Sequence, residues 1–280
     1  MVKLCAFSDE AASDLDGQIE ALKRNGMALT ELRSIDGVSI KDFTVAQAKE
    51  YAKTLQGEGI GVWALGSPLG KVRLDDDFWG DVKHVFELAH IFETKRIRMF
   101  SFFDAYDKKA RVIEALTRMA ELAQKEGLYL CHENEKEIFG DTHVRVIELL
   151  NAVKGLRFVY DPANFLQVGD AADDTLNALH SRADYFHIKD VVAATGELVP
   201  AGHGDGKIVE LLKRIDRNTV LTLEPHLKVF AGYASIDNTE LKNKYNYPDN
   251  AAAFDAAAAA LRECLSAAGY QKTEGGYEKL

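Results

Sequence analysis

Residues 109–135 read KARVIEALTRMAELAQKEGLYLCHENE. The first part carries apolar residues at three- and four-residue spacing, the period of an amphipathic helix. Gly127 stands where such a helix stops, because glycine tolerates the left-handed backbone of a helix end. The apolar run that follows is strand-like, and it delivers a ligand-type side chain, Glu133, at its end. Helix, glycine, apolar strand and polar end make a unit, and the rest of the chain repeats it.

Upstream, DLDGQIEALKRNG (14–26) and VAQAKEYAKTLQGEG (45–59) show the same helical spacing, and Gly26, Gly59 and Gly155 take the place of Gly127. Thr44 with Gln47 has the form of a capping box at a helix start. Candidate strands begin near Lys3, Leu29, Ile60, Arg96, Leu128, Leu156, Asp184 and Thr219, about 31 residues per unit. A strand, a helix and two short loops need roughly that many. Eight such units favour a closed (β/α)8 TIM barrel over an open doubly wound sheet. SDEAASDLDG stands after the first strand, where a dinucleotide site would carry GxGxxG.

The chain of 280 residues is 47% hydrophobic, enough for one large core. Residues 1–268 read as a single barrel domain, and GYQKTEGGYEKL (269–280) as a polar, frayed tail. With 34 basic against 44 acidic residues the net charge is −10, which argues against a nucleic-acid partner. The start has no signal-peptide anatomy, and no apolar stretch approaches the roughly 20 residues a membrane span needs. Three scattered cysteines, Cys5, Cys131 and Cys264, suit a reducing cytoplasm better than a disulfide framework. The segment from His226 to Asn250, with Phe230, Tyr233, Tyr245 and Tyr247, is too long for an ordinary loop. It reads as a lid, an interface or disorder, and makes a homo-oligomer a reasonable expectation.

Four ligand-type side chains close four successive strands: Glu133 in GLYLCHENE, Asp161 in LRFVYDPAN, His187 in ADYFHIKD and Glu224 in TVLTLEPH. A TIM barrel gathers such strand ends at one rim, where active sites sit. Carboxylates with one imidazole suit a divalent cation such as Mn²⁺, Zn²⁺ or Mg²⁺. The opposing reading is a polar rim network in which Lys189, Arg98 and Arg33 neutralise the acids. Lys189 shares the inward parity of His187 and suits either a substrate oxygen or a site carboxylate. Arg98 and Arg33 suit a phosphate or carboxylate, or an ion pair inside the barrel. His226, two residues after Glu224, and His203 are further substrate contacts to set against solvent exposure. His132 precedes Glu133 and should point the opposite way, toward the helices. Trp63 and Phe7 read as wall or core, and Cys5 and Cys131 as small buried strand residues.

Glu133-Asn134, Asp161-Pro162, His187-x-Lys189-Asp190 and Leu223-Glu224-Pro225 end strands five to eight, and VPAGHGDGKIVELLKRI (199–215) precedes the last. On these motifs the chain, from FSDE to LEPH, resembles the xylose-isomerase-like TIM-barrel superfamily of sugar (phosphate) isomerases and epimerases. The resemblance implies one divalent metal held by Glu133, Asp161, His187 and Glu224, with Glu133 and Glu224 as the acid/base pair. Departures bear on the substrate. Asn164 stands where many members have a His, and His203 where single-metal sugar epimerases commonly carry a Glu. The endonuclease branch has Asp-x-His after strand seven, whereas His203-Gly-Asp205 runs in the reverse order.

Moving a proton on a carbon beside a carbonyl passes through an enediolate, whose negative oxygens a metal stabilises. One carboxylate removes the proton and a second returns it. The expected function is therefore a metal-dependent sugar or sugar-phosphate isomerase or 3-epimerase. Lys189, Asn164, His203, Arg98 and His226 are the expected substrate-side residues. A keto-polyol dehydratase on the same site is the alternative enzyme, and a non-catalytic sugar-binding barrel the alternative outside catalysis.

Overall fold

Residues 1–231, 233 and 245–279 are described by a computed structural model, and eight strands begin within one residue of their expected starts. They are β1 (Val2–Ala6), β2 (Leu29–Leu32), β3 (Gly61–Gly66), β4 (Arg96–Met99), β5 (Tyr129–Glu133), β6 (Arg157–Tyr160), β7 (Tyr185–Ile188) and β8 (Thr219–Leu223). Within the barrel each is parallel to the strands on either side, and β8 pairs with β1 from Val2↔Thr219 to Ala6↔Leu223, which closes the barrel. The expected TIM barrel is what the chain forms.

Among the described residues, eight α-helices of seven residues or more lie between and after the strands: α1 (Leu15–Arg24), α2 (Val45–Gly57), α3 (Trp79–Ile91), α4 (Lys109–Lys125), α5 (His143–Ala152), α6 (Ala172–Leu179), α7 (Ile208–Arg214) and α8 (Asn250–Ala267). Their starts are chemically marked. Thr44 and Gln47 form the expected capping box on α2, and Asp14 and Asp249 accept from Gly17 N and Ala252 N on α1 and α8. These bonds satisfy backbone donors that the first helical turn leaves free. The main apolar core fills the layer between helices and strands. A smaller one, Cys5, Ala64, Cys131, Val159, Tyr185 and Val220, plugs the barrel interior below the rim. Cys5 and Cys131 are thus buried, free thiols in strands.

The C-terminal segment differs from expectation. Instead of fraying, it forms a hairpin of β9 (Tyr270–Thr273) and β10 (Gly276–Lys279), and β10 pairs antiparallel with β1 at Val2↔Tyr277. Tyr270 is buried against the core and Tyr277 packs on it, so two aromatics anchor an otherwise polar ribbon. Gly276 permits the approach: at φ +152° a Cβ there would lie 2.4 Å from the Val2 carbonyl oxygen.

Residues 232 and 234–244 of the segment after β8 lie outside the described residues, and the lid and interface readings of that segment fall there. Phe230 and Tyr233 are buried beside His226, and Tyr245 stacks on Tyr247. Among the described residues no helix is long and apolar enough to cross a membrane.

Candidate metal centre

Glu133 is the last residue of β5, His187 lies in β7, and Asp161 and Glu224 directly follow β6 and β8. Each of the four offers one ligand atom, and these atoms all lie within 4.8 Å of one another. All four residues are buried. His187 Nδ1 is 3.0 Å from both Glu133 Oε1 and Glu224 Oε2. Local sequence explains the aim of each side chain. Asp161 caps the short helix Pro162–Gln167, accepting from Asn164 N through Oδ1 at 2.9 Å, which leaves Oδ2 facing the cluster. Asn134 ties β5 to β6 by donating to Asp161 O (2.8 Å) and accepting from Asp161 N (3.0 Å).

The donor set fits a divalent cation. Asp161 Oδ2 and Glu224 Oε2 are buried and accept no hydrogen bond. Lys189 Nζ stands 3.1 Å from the first and His187 Nδ1 3.0 Å from the second, in ion-pair range but outside hydrogen-bond geometry. Buried carboxylate oxygens in that condition are costly unless a cation takes them up. The protonation pattern agrees. Burial opposes charge on His187, yet Glu133, Glu31 and Glu224 outweigh it and hold the imidazole well above its usual pKa. Burial pushes Asp161 up to about 6 despite Lys189. Burial would raise Glu224 too, but Lys189 and His187 hold it well below the carboxylate range. A metal ion takes the place of such a proton, because it binds the neutral imidazole and the charged carboxylates.

Charged side chains surround the centre. Arg33 grips Asp9 through two bonds (2.9 and 3.0 Å) and also reaches Glu10 (3.2 Å) and Glu224 (3.0 Å). Arg98 lies 3.5 Å from Glu133 Oε2 and donates to Gly66 O at 3.3 Å, while its Nε has no hydrogen-bond partner. Phe7 lies under both guanidiniums, with its ring edge-on to His187 at 5.2 Å. Asn164 donates to Glu133 Oε1 (3.3 Å) and to Asn134 O (2.9 Å). His226, held at φ +47°, donates its N–H to Glu10 Oε2 (2.8 Å) and sets its ring 3.4 Å from Glu224 Oε1. The structure therefore brings together Glu133, Asp161, His187, Glu224, Lys189, Asn164, Arg98 and His226.

His203 stands apart from that group. It is exposed, and its Nδ1 faces Tyr245 OH at 3.2 Å. Its loop is folded around Asp190, whose carboxylate accepts from the N–H groups of Val191, Gly202, Gly204 and Gly206. Trp63 is part of the wall of the lower barrel, under the Arg96 guanidinium.

His132 points away from the rim, as alternation requires, and its Nε2 meets Ser101 Oγ at 2.9 Å. Burial lowers its pKa to about 3. Below its ordinary value of about 6.5 the unfolded chain binds a proton that the folded protein does not, so stability falls with pH from there toward 3. The loss from pH 7 to pH 5 is expected to be about 2 kcal/mol smaller in His132→Gln. Urea unfolding of both proteins in chelator at the two pH values checks this.

Three carboxylates at the site escaped the sequence reading: Glu31, Asp9 and Glu10. Glu31 sits inside the barrel, accepting from Tyr185 OH (2.8 Å) and Thr222 Oγ1 (2.9 Å) and facing His187 Nε2 at 3.1 Å. A signal for it existed, since Glu31 and Arg33 share one strand face by alternation. Asp9 and Glu10 follow the end of β1 and so share the rim.

Fold and rim together define a (β/α)8 barrel with a buried three-carboxylate, one-histidine cluster. A family model described as "Xylose isomerase-like TIM barrel" matches residues 19–264, and the chain belongs to that family. No curated protein matches it in sequence. Among solved structures it is similar to a D-psicose 3-epimerase determined with D-fructose, at TM-score 0.74 and 17% identity over 95% of this chain and 99% of that one. It is also similar to IolI with a bound zinc atom, at TM-score 0.73 and 17% identity over 94% and 98% of the two chains. A third is the probable 3-DHS dehydratase AsbF of Bacillus anthracis, at TM-score 0.66 and 17% identity over 94% and 98%. These likenesses establish the fold.

Proposed function

We propose that the protein is a metal-dependent isomerase or epimerase of a sugar or sugar phosphate, with Glu133 and Glu224 as its proton-transfer pair. The observation that carries this reading is two buried glutamates, each 3.0 Å from one His187 nitrogen and each backed by its own arginine. When bound by Glu133, Asp161, His187 and Glu224, a divalent cation such as Mn²⁺ supplies positive charge beside substrate oxygens that become negative as the proton leaves. One glutamate takes the proton from the carbon next to the carbonyl. The other, protonated, returns one to the opposite face or to the neighbouring atom. Lys189 and Arg98 donate to substrate oxygens, and Asn164 and His226 hold the glutamates in place. The three buried, free cysteines suit a reducing cytoplasm.

The D-psicose 3-epimerase and the zinc-bearing IolI support a ketose substrate and a metal, and the probable dehydratase keeps elimination of water as the second reading. Incubation with keto-sugars and their phosphates plus Mn²⁺ in D₂O, followed by NMR, separates these outcomes. Deuterium at the carbon next to the carbonyl with retained composition is expected. Loss of water identifies a dehydratase. Metal binding without deuterium uptake from any ketose indicates a sugar-binding barrel and ends the proton-transfer reading.

A further inference from the structure

His187 is gripped from two sides. Its Nδ1 faces Glu133 and Glu224, each at 3.0 Å, while Nε2 faces Glu31 Oε2 at 3.1 Å. Glu31 lies on β2, across the barrel from β7, and its side chain is fully buried. Both of its oxygens are engaged: Oε1 by Tyr185 OH, Oε2 by Thr222 Oγ1 together with the imidazole. Tyr185 stands two residues before His187 on β7, and Thr222 is paired with His187 across the β7–β8 register. Arg98 Nε stands 4.0 Å from Oε1.

We propose that Glu31 is a positioning residue for metal capture. It holds the His187 Nε2–H and so presents the Nδ1 lone pair to the cation. This rests on the metal-centre reading above. A ring nitrogen can donate to a metal only when it carries no proton, so the hydrogen bond made by the other nitrogen selects the ligating tautomer. The carboxylate also fixes the plane of the ring, which otherwise turns about its Cβ–Cγ bond. Glu31 is not itself a ligand, because His187 stands between it and the other acids and each of its oxygens is already engaged, Oε1 by Tyr185 and Oε2 by Thr222 and the imidazole. The two hydroxyl donors thereby act through it, holding the holder in place.

The test titrates Zn²⁺ and Mn²⁺ into metal-free wild type, Glu31→Gln and Glu31→Asp against a chromophoric chelator. ¹⁵N NMR of the imidazoles runs in parallel. Glu31→Gln is expected to weaken metal binding roughly 10- to 100-fold, the usual effect of losing such a partner. Glu31→Asp recovers part of the loss. The wild-type spectrum shows a protonated Nε2 and a metal-shifted Nδ1, a signature that a purely structural carboxylate would leave unchanged on substitution. Equal affinities with unchanged imidazole shifts overturn the role of Glu31 while leaving the metal centre intact. A wild type that binds neither ion overturns the centre and this role together. Should Glu31→Gln fail to fold, Thr222→Val carries the test by removing one donor to Glu31. A several-fold loss of affinity is then expected, and an unchanged affinity overturns the proposal.

Discussion

Glu133→Gln is expected to lower turnover by roughly 10²- to 10⁴-fold, the range contributed by one positioned acid or base, and Glu224→Gln to do the same. Each glutamate meets His187 Nδ1 at 3.0 Å, so each substitution also touches the metal ligands. Metal content is therefore measured on the same samples, at saturating Mn²⁺. Deuterium exchange then separates the two roles. With one base removed, exchange should persist from one epimer and vanish from the other, and the two variants should differ in which epimer survives. Loss of exchange from both epimers in both variants assigns the glutamates to metal binding alone. Full activity of both, with metal bound, shows that other groups move the proton.

Arg33→Met is expected to destabilise the protein by about 3–5 kcal/mol, because it leaves buried carboxylates without their cation. The guanidinium serves Asp9, Glu10 and Glu224 together, and all four residues are at most 6% exposed. Arg33→Lys should recover only part of the loss, since an ammonium cannot match the two-point grip on Asp9. Burial, working against His226 and Arg33, raises the carboxyl of Glu10 above its usual pKa. A group raised in this way is readily neutralised by acid, so the deficit of Arg33→Met should narrow as pH falls from 7 toward 5. Urea denaturation at both pH values measures it. A deficit under about 0.5 kcal/mol at pH 7, the size of an ordinary surface change, would mean that the network does not depend on this charge.

The barrel was legible because its signal is repeated. Each glycine after an amphipathic stretch is weak alone, yet Gly26, Gly59, Gly127 and Gly155 precede strands that begin within one residue of expectation. The four ligand candidates were legible for the same reason, since register on successive strand ends can be read along the chain. Glu31 was not. Its shared parity with Arg33 in LTELRS places it on the inward face but says nothing of its partners, since His187 and Thr222 lie 156 and 191 residues away. Asp9 and Glu10 were passed over because SDE reads as a polar turn until closure of β8 on β1 carries it to the rim. The terminal hairpin was hidden by composition: its polar residues suggested fraying, while the two tyrosines that anchor it are too few to form a pattern.

The pairing of Val2 with Thr219 has a consequence for the order of events during synthesis. Translation delivers β1 first and its β8 partner many seconds later, at about 5–20 residues per second. Throughout that interval the nascent chain carries a strand with one open edge, the kind of surface that pairs with the wrong neighbour. Glu224, which ends the seam, joins Arg33 only when the seam zips shut. Assembly of the acid cluster thus coincides with the last step of closure, and a ribosome-stalled chain lacking β8 would hold Glu133, Asp161 and His187 without their fourth partner.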